Sequence, residues 1–448
     1  MKKSLVDLGQ QLLDAAKRAG ADACDAMAVD GVSHSIEVRG GQLEQAERAE
    51  GTDIGLRVML GARQACVSAS DISVEAIELM AQRAVEMARH APDDAYLRQA
   101  SWDQLARDWD VEALELSDPA KEPSAAQLQA TALEAEAAAL EVSGVMQCQS
   151  AGAAFGARRI HLCMSNGFSG GYARTDHGFS CVAISGTGSQ MERDYDGDSR
   201  IFRADLRAAY EVGRSAGERA VARQGARKPP TGAFPVLYDE RISSGLIGHL
   251  LAASNGSAVA RGASWLQNEM HSSVLPQGIS LLENPHRKRT SGSRPFDGEG
   301  LPVAERAIVA DGVLQEWTLD LSTAAQLGLQ STGSAMRGPS GPPSPGVGNV
   351  TLTSGQQSRE DLIRDMGTGL LLTSLIGASI NATTGDYSRG ASGFWVENGE
   401  IAYPVNECTI AGNLRQMLLN IVPANDGRGH LSRVVPSLLI PSMAIAGE

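Results

Sequence analysis

One pattern constrains this chain more than any other, because its first half carries it twice. Residues 4–19 read as an amphipathic helix, with Leu5, Leu8, Leu12, Leu13 and Ala16 on one face and Gly20 as a stop. Strand-like runs follow at 26–29, 35–39, 54–60 and 64–68, punctuated by Gly40-Gly41, Glu50-Gly51 and Gly61-Ala62. A second helix is expected from Ser73 to about His90, with Val74, Ile77, Met80, Ala84 and Met87 facing inward. After an irregular, polar excursion over 92–124, the order recurs. A helix at about 125–142 is capped by Ser124, strand-like runs come at 146–149, 160–164, 179–185 and 190–193, and a helix closes the block at about 204–223. The two blocks lie about 125 residues apart, so that Ile36, Gly51 and Gly61 fall near His161, Asp176 and Gly186. A spacing of this kind points to an internal duplication of a helix–strands–helix unit.

The stretch Gly225–Gly232 (GARKPPTG) ends this region, since two prolines and two glycines cannot continue the preceding helix. Beyond it the chain is mostly strand-like. Asp311-Gly312 and Asn398-Gly399 are hairpin tips whose residue types suit two consecutive positive φ angles. Helices are expected over Arg241–Leu251 and about Asn413–Asn420, and Gly338–Gly348 is expected to be an extended surface loop. The expected fold class is therefore α+β: an N-terminal α+β domain over 1–224, then a largely β C-terminal domain over 233–448. At 448 residues the chain exceeds what one core normally serves. Aromatic residues are only 4% against 49 glycines, which favours Ala/Leu-packed helices and Gly-turned strands.

Composition excludes several functions. A net charge of −14 repels phosphate backbones, and the single tight basic run, His286–Arg289, reads as a solvated loop. The N-terminal stretch has cations but no apolar core, so no signal peptide is expected, and no apolar run is long enough to span a membrane. The six cysteines form no CxxC pair and fit a reduced cytosolic protein. Gly213-Arg214-Ser215-Ala216-Gly217 matches GxSxG, but it falls inside a helical stretch where the nucleophile elbow needs a preceding strand. There is no phosphate-cradling P-loop, and Gly186-Thr187-Gly188 lies between strands instead of opening a helix. The eight histidines are isolated, with neither HExxH nor HxxxH.

Two runs carry a resemblance. One is Thr384–Glu400 (TGDYSRGASGFWVENGE), continuing through Tyr403-Pro404-Val405 and Glu407–Leu414; the other is Gly51–Val58 (GTDIGLRV). Together they resemble the TldD/PmbA metalloprotease family, on the PmbA branch that is also called TldE, and the likeness covers nearly the whole chain. The resemblance implies one subunit of a heterodimeric cytoplasmic TldD/TldE metalloprotease acting on unfolded or peptide substrates, including peptide-antibiotic precursors and antitoxins. An older family label, modulator of DNA gyrase, stems from phenotypes tied to those substrates. In the TldD branch a helix bears HExxxH, and a cysteine near the C-terminus completes a zinc site.

The corresponding helix here is Gly245–Gly256, GLIGHLLAASNG. His249 takes the place of the first histidine, Leu250 that of the glutamate and Ser254 that of the second histidine. Counting back from Pro436 and Pro441 puts the cysteine position at about Arg428. Leucine can neither take a proton from water nor bind a metal, a serine hydroxyl is a poor zinc ligand and arginine repels the ion. The expectation is a chain with no catalytic residue, cofactor or metal of its own, with zinc on a TldD-like catalytic partner. It would handle unfolded peptide substrates, pair with itself when isolated, and contact neither nucleic acid nor membrane. Whether the chain alone is an enzyme stays open. Two other readings compete: a self-sufficient hydrolase using Cys408 with a histidine elsewhere, and a DNA gyrase-linked binding protein.

Overall fold

A computed structural model describes residues 4–448. The first helix, α1 (Leu5–Ala19), starts at a capping box between Ser4 and Asp7 and ends at Gly20, whose φ of 100° suits only glycine. Strands β1 (Ala23–Arg39), β2 (Gln42–Leu60) and β3 (Arg63–Ala69) form an antiparallel meander, and α2 (Val74–His90) closes the unit. The second unit repeats it: α4 (Ala125–Leu140), β4 (Val145–Met164), β5 (Ser169–Ser185), β6 (Glu192–Arg200) and α5 (Ala209–Ala222). Gly61 and Gly186, matched by the sequence spacing, occupy equivalent turns with φ of 55° and 73°.

The six strands make one sheet in the order β3-β2-β1-β4-β5-β6, which reads as the same unit from either edge. Antiparallel pairing of β1 with β4 joins the halves. Both helix pairs cover the same face. Cys24, Ala26 and Ala28 at one end of β1 pack under α1 and α2, while Ile36, of the same parity, packs under α4 and α5. A two-fold relation perpendicular to the sheet has this effect: it exchanges the units and leaves the opposite face free.

The strands are longer than the sequence suggested. Ala26–Val29 and Ser35–Arg39 belong to one 17-residue strand that runs straight through Gly31-Val32-Ser33. Neighbouring strands supply its hydrogen bonds on both sides, so the apolar gap does not break it. The inward face of α2 is also rotated from the expected one: Ala81, Val85 and Ala88 join Ile77, Met80 and Ala84, while Val74 and Met87 are exposed.

The GxSxG match has a packing explanation. Gly213 and Gly217 sit in α5 where a Cβ would lie 1.9 Å from the Ala135 carbonyl oxygen and 2.9 Å from that of Ala139. These glycines let α5 rest directly on the backbone of α4.

The segment between the units contains the short helix α3 (Val111–Leu114), and it is less passive than a connector. Leu105 and Ala106 enter a small core with Phe168, Phe296 and Leu301, and Trp109 stacks edge-on to Phe296 at 5.1 Å. That core joins the first sheet to the C-terminal half.

The C-terminal half is largely β. Strand β7 (Gly232–Tyr238) lies between strands 369–380 and 438–446, and 369–380 continues the sheet through 386–397 to 400–413. Pairing of 400–413 with 438–446 closes these five strands into a ring. Its interior holds Tyr238, Leu372, Tyr387, Trp395, Cys408, Ile410 and Ile440. Asp311-Gly312 and Asn398-Gly399 turn with both φ angles positive, as the hairpin signal required.

The two halves meet on the free face of the first sheet. Asp25, fully buried, lies 2.7 Å from Arg57 and also pairs with Arg337 from the other half. Burial alone would raise the Asp25 carboxyl, but the two guanidiniums hold it below the usual carboxylate range. Beside it, a Cβ on Gly55 would fall 1.9 Å from the Pro339 carbonyl oxygen. The segment 338–348, expected as a free surface loop, is thus anchored on the sheet at its start.

Candidate functional site

Helix α6 (Glu240–Ala253) carries the residues singled out by sequence. Asp239 caps it, accepting from the Arg241 N–H at 3.2 Å, and Glu240 adds an acid to the first turn. Leu246, Ile247, Leu250 and Leu251 are buried in the C-terminal core and fix the helix orientation. The outward face is Gly245, Gly248, His249 and Ala252.

His249 is half-buried, with its ring 5.8 Å from that of Tyr387 at 72°. The Tyr387 hydroxyl meets the Tyr238 hydroxyl at 3.3 Å. Burial, and then the nearby Arg389 guanidinium, hold the imidazole below its ordinary value, which keeps it neutral at neutral pH. Leu250 is fully buried. Ser254, equally buried, ends the helix with its hydroxyl donating to the Leu251 carbonyl at 3.2 Å.

Arg428 is not brought to His249. Its Nε donates to Glu240 at 2.6 Å, at the start of α6, about 14 Å along the helix from His249. The residue from the C-terminal segment that lies over the middle of α6 is Arg433, with Nη1 3.4 Å from where a Cβ on Gly248 would be. Cys408 is buried in the ring, its Sγ donating to the Ala391 carbonyl at 3.3 Å, and burial pushes its thiol up to about 11.

A zinc ion does not fit these residues. One imidazole faces it, beside a buried leucine, a hydroxyl already spent on its own helix and a guanidinium that repels cations. Among the described residues, no group of three or more His, Cys, Asp or Glu is placed to hold a metal ion.

Three family profiles match in order along the chain: PmbA/TldA metallopeptidase domain 1 over residues 24–88, the central domain over 118–224 and the C-terminal domain over 231–447. Metalloprotease PmbA of Escherichia coli O157:H7 is 36% identical over 422 residues, covering 92% of this chain and 90% of its own. The chain belongs to the PmbA/TldD metallopeptidase family. Its fold also matches solved structures. A Bacteroides thetaiotaomicron protein, named for a proposed modulation of DNA gyrase, superposes with a TM-score of 0.91 at 24% identity, covering 99% of this chain and 98% of its own. TldE from Thermococcus kodakarensis superposes at 0.84 with 19% identity, over 98% and 99%.

In this PmbA/TldD family member, α6 borders a cleft of about 550 Å³ between the halves. Ser35, Ala154 and Ser180 of the first sheet line its floor; Arg241, Arg428 and His430 stand opposite. Its charges are largely paired internally: Arg241 with Asp194 at 2.9 Å, Arg219 with Asp196 at 3.1 Å. No helix among the described residues is long and apolar enough to cross a membrane.

Proposed function

We propose that this chain is the non-catalytic, substrate-handling subunit of a cytoplasmic TldD/TldE-type zinc protease, and that a TldD-like partner carries the metal. The observation behind this reading is the helix itself: at the metal-binding positions implied by the resemblance, Leu250 is sealed in the core and the Ser254 hydroxyl is turned onto its own backbone. The cleft beside α6 is of a size that takes an extended peptide segment, and small residues of the sheet alternate along it with Glu37 and Tyr195. Without its partner, the chain pairs with itself through the surface that would otherwise meet that partner.

The competing hydrolase reading needs Cys408 as a nucleophile. A thiol protonated up to about pH 11 and bonded to a buried carbonyl does not serve that role.

The test is co-expression with a TldD-like chain, followed by zinc analysis and peptide cleavage for each subunit and for the pair. The expected result is no stoichiometric zinc on this chain, about one per pair, and cleavage by the pair that differs in rate or specificity from that of the partner alone. A partner that cleaves equally well alone, and does not co-purify, would sink the proposal.

A further inference from the structure

Most arginines near α6 are tied to carboxylates. Arg241 pairs with Asp194 and Asp239, Arg359 with Asp239, and Arg428 with Glu240. Arg389 and Arg433 are different: among the described residues neither side chain has an ion pair or a hydrogen bond. For Arg433, which is exposed, this is unremarkable. Arg389 is half-buried, and its Nε is buried without an acceptor. It stands on the strand 386–397, two residues from Tyr387, and faces the same side of that strand. A polar N–H withdrawn from water with no acceptor costs stability. In a chain with net charge −14, a neighbouring carboxylate would have been easy to supply.

Both cations border one turn of α6. Arg433 lies against Gly248, and Arg389 is close enough to His249 to influence its proton. We propose that Arg389, Arg433 and the imidazole of His249 form a receptor for a carboxylate of an extended peptide lying along the outward face of α6. The proposal rests on the substrate-handling reading above and names the group that this chain recognises. Guanidinium groups bind carboxylates through charge-assisted, commonly bidentate hydrogen bonds, and a neutral imidazole adds one N–H donor. Gly245, Gly248 and Ala252 leave the helix surface low enough for a peptide backbone to approach. The cleft reaches the same helix at Arg241, one turn before Gly245, so a chain leaving the cleft is led onto this face.

The experiment uses the full chain without partner and fluorescence anisotropy of one unstructured peptide in three forms: free C-terminal acid, C-terminal amide, and amide with an internal glutamate. At least one carboxylate form is expected to bind ten or more times tighter than the plain amide. Preference for the free acid identifies a peptide C-terminus; preference for the glutamate form identifies an acidic side chain. Arg389→Met and Arg433→Met should each weaken that binding about tenfold. Arg389→Met should also leave the melting temperature unchanged or raise it, because it removes a buried N–H that has no acceptor. Equal binding of all three peptides, no binding, variants that bind like the parent, or a lowered melting temperature for Arg389→Met would each overturn the proposal. Co-purification with the partner is scored separately: its loss with peptide recognition intact counts against the subunit reading and not against this one.

Discussion

At the scale of single residues, burial decides what each side chain can do. His249 and Leu250 lie within α6 and Ser254 caps its end, short of the helix expected to run to Gly256, and only His249 faces outward. Cys408 has the chemistry of a nucleophile and the surroundings of a core residue. With its thiol near 11, roughly a thousandth is ionised at pH 8. Iodoacetamide applied to the native protein at pH 8 is therefore expected to leave Cys408 unmodified. It should reach Cys66 first, since the other cysteines are all buried. Mass spectrometry of tryptic peptides reads the outcome, and rapid native labelling of Cys408 would contradict the buried ring interior. Arg389 shows the converse: it lies inside a run that the sequence marked as distinctive, yet nothing in its spacing distinguishes an unpaired arginine from the many paired ones.

At the scale of elements, α5 rests on the backbone of α4 at Gly213 and Gly217. Gly213→Val places a side chain where the Ala135 carbonyl oxygen already is, so α5 must move away. The expected loss is about 1–3 kcal/mol or more, read by chemical denaturation. Ser215→Ala, half-exposed in the middle of the same GxSxG match, should change stability by under about 0.5 kcal/mol and leave any cleavage by the assembled pair untouched. A loss of cleavage in that variant with normal folding would revive the elbow reading. Helix positions were legible because caps and 3.6-residue periodicity are local, as at Ser73 and Ser124. Strand lengths were not, because Gly31–Ser33 and the charged stretch of β2 are held extended by neighbours distant in sequence.

At the scale of the whole molecule, the Asp25–Arg57–Arg337 cluster fastens the C-terminal half to the duplicated sheet. Asp25→Asn leaves two buried guanidiniums without their anion, with an expected cost of about 3–5 kcal/mol, measured by urea denaturation. The sign with pH follows from the direction of the shift. The Asp25 carboxyl is held below its ordinary value of 3.8, so its contribution is fully present above that value and is lost as pH falls through the lower folded one. Stability attributable to this group should be flat from pH 5 to 8 and fall only in acid, and Asp25→Asn should lose that part of the acid dependence. An acid-unfolding midpoint that is the same in variant and parent would show that the pair does not hold the halves together.

The sequence alone determined the duplicated α+β half, the two hairpin tips and the absence of any HExxxH, because each of these is written in local pattern or residue type. Tertiary structure decided the rest. It showed that the two units share one face of one sheet, that the GxSxG glycines serve helix contact, that the strand 400–413 closes a ring onto 438–446, and that Arg433 instead of Arg428 lies over the middle of α6. The physical reason is common to all of these: a helix cap or a turn is fixed within a few residues, whereas burial and charge pairing depend on partners hundreds of residues away. The duplication with which the sequence began is visible in the spacing of its glycines. That it leaves a bare face for the second half to dock on became visible only when both helix pairs were seen on the other side.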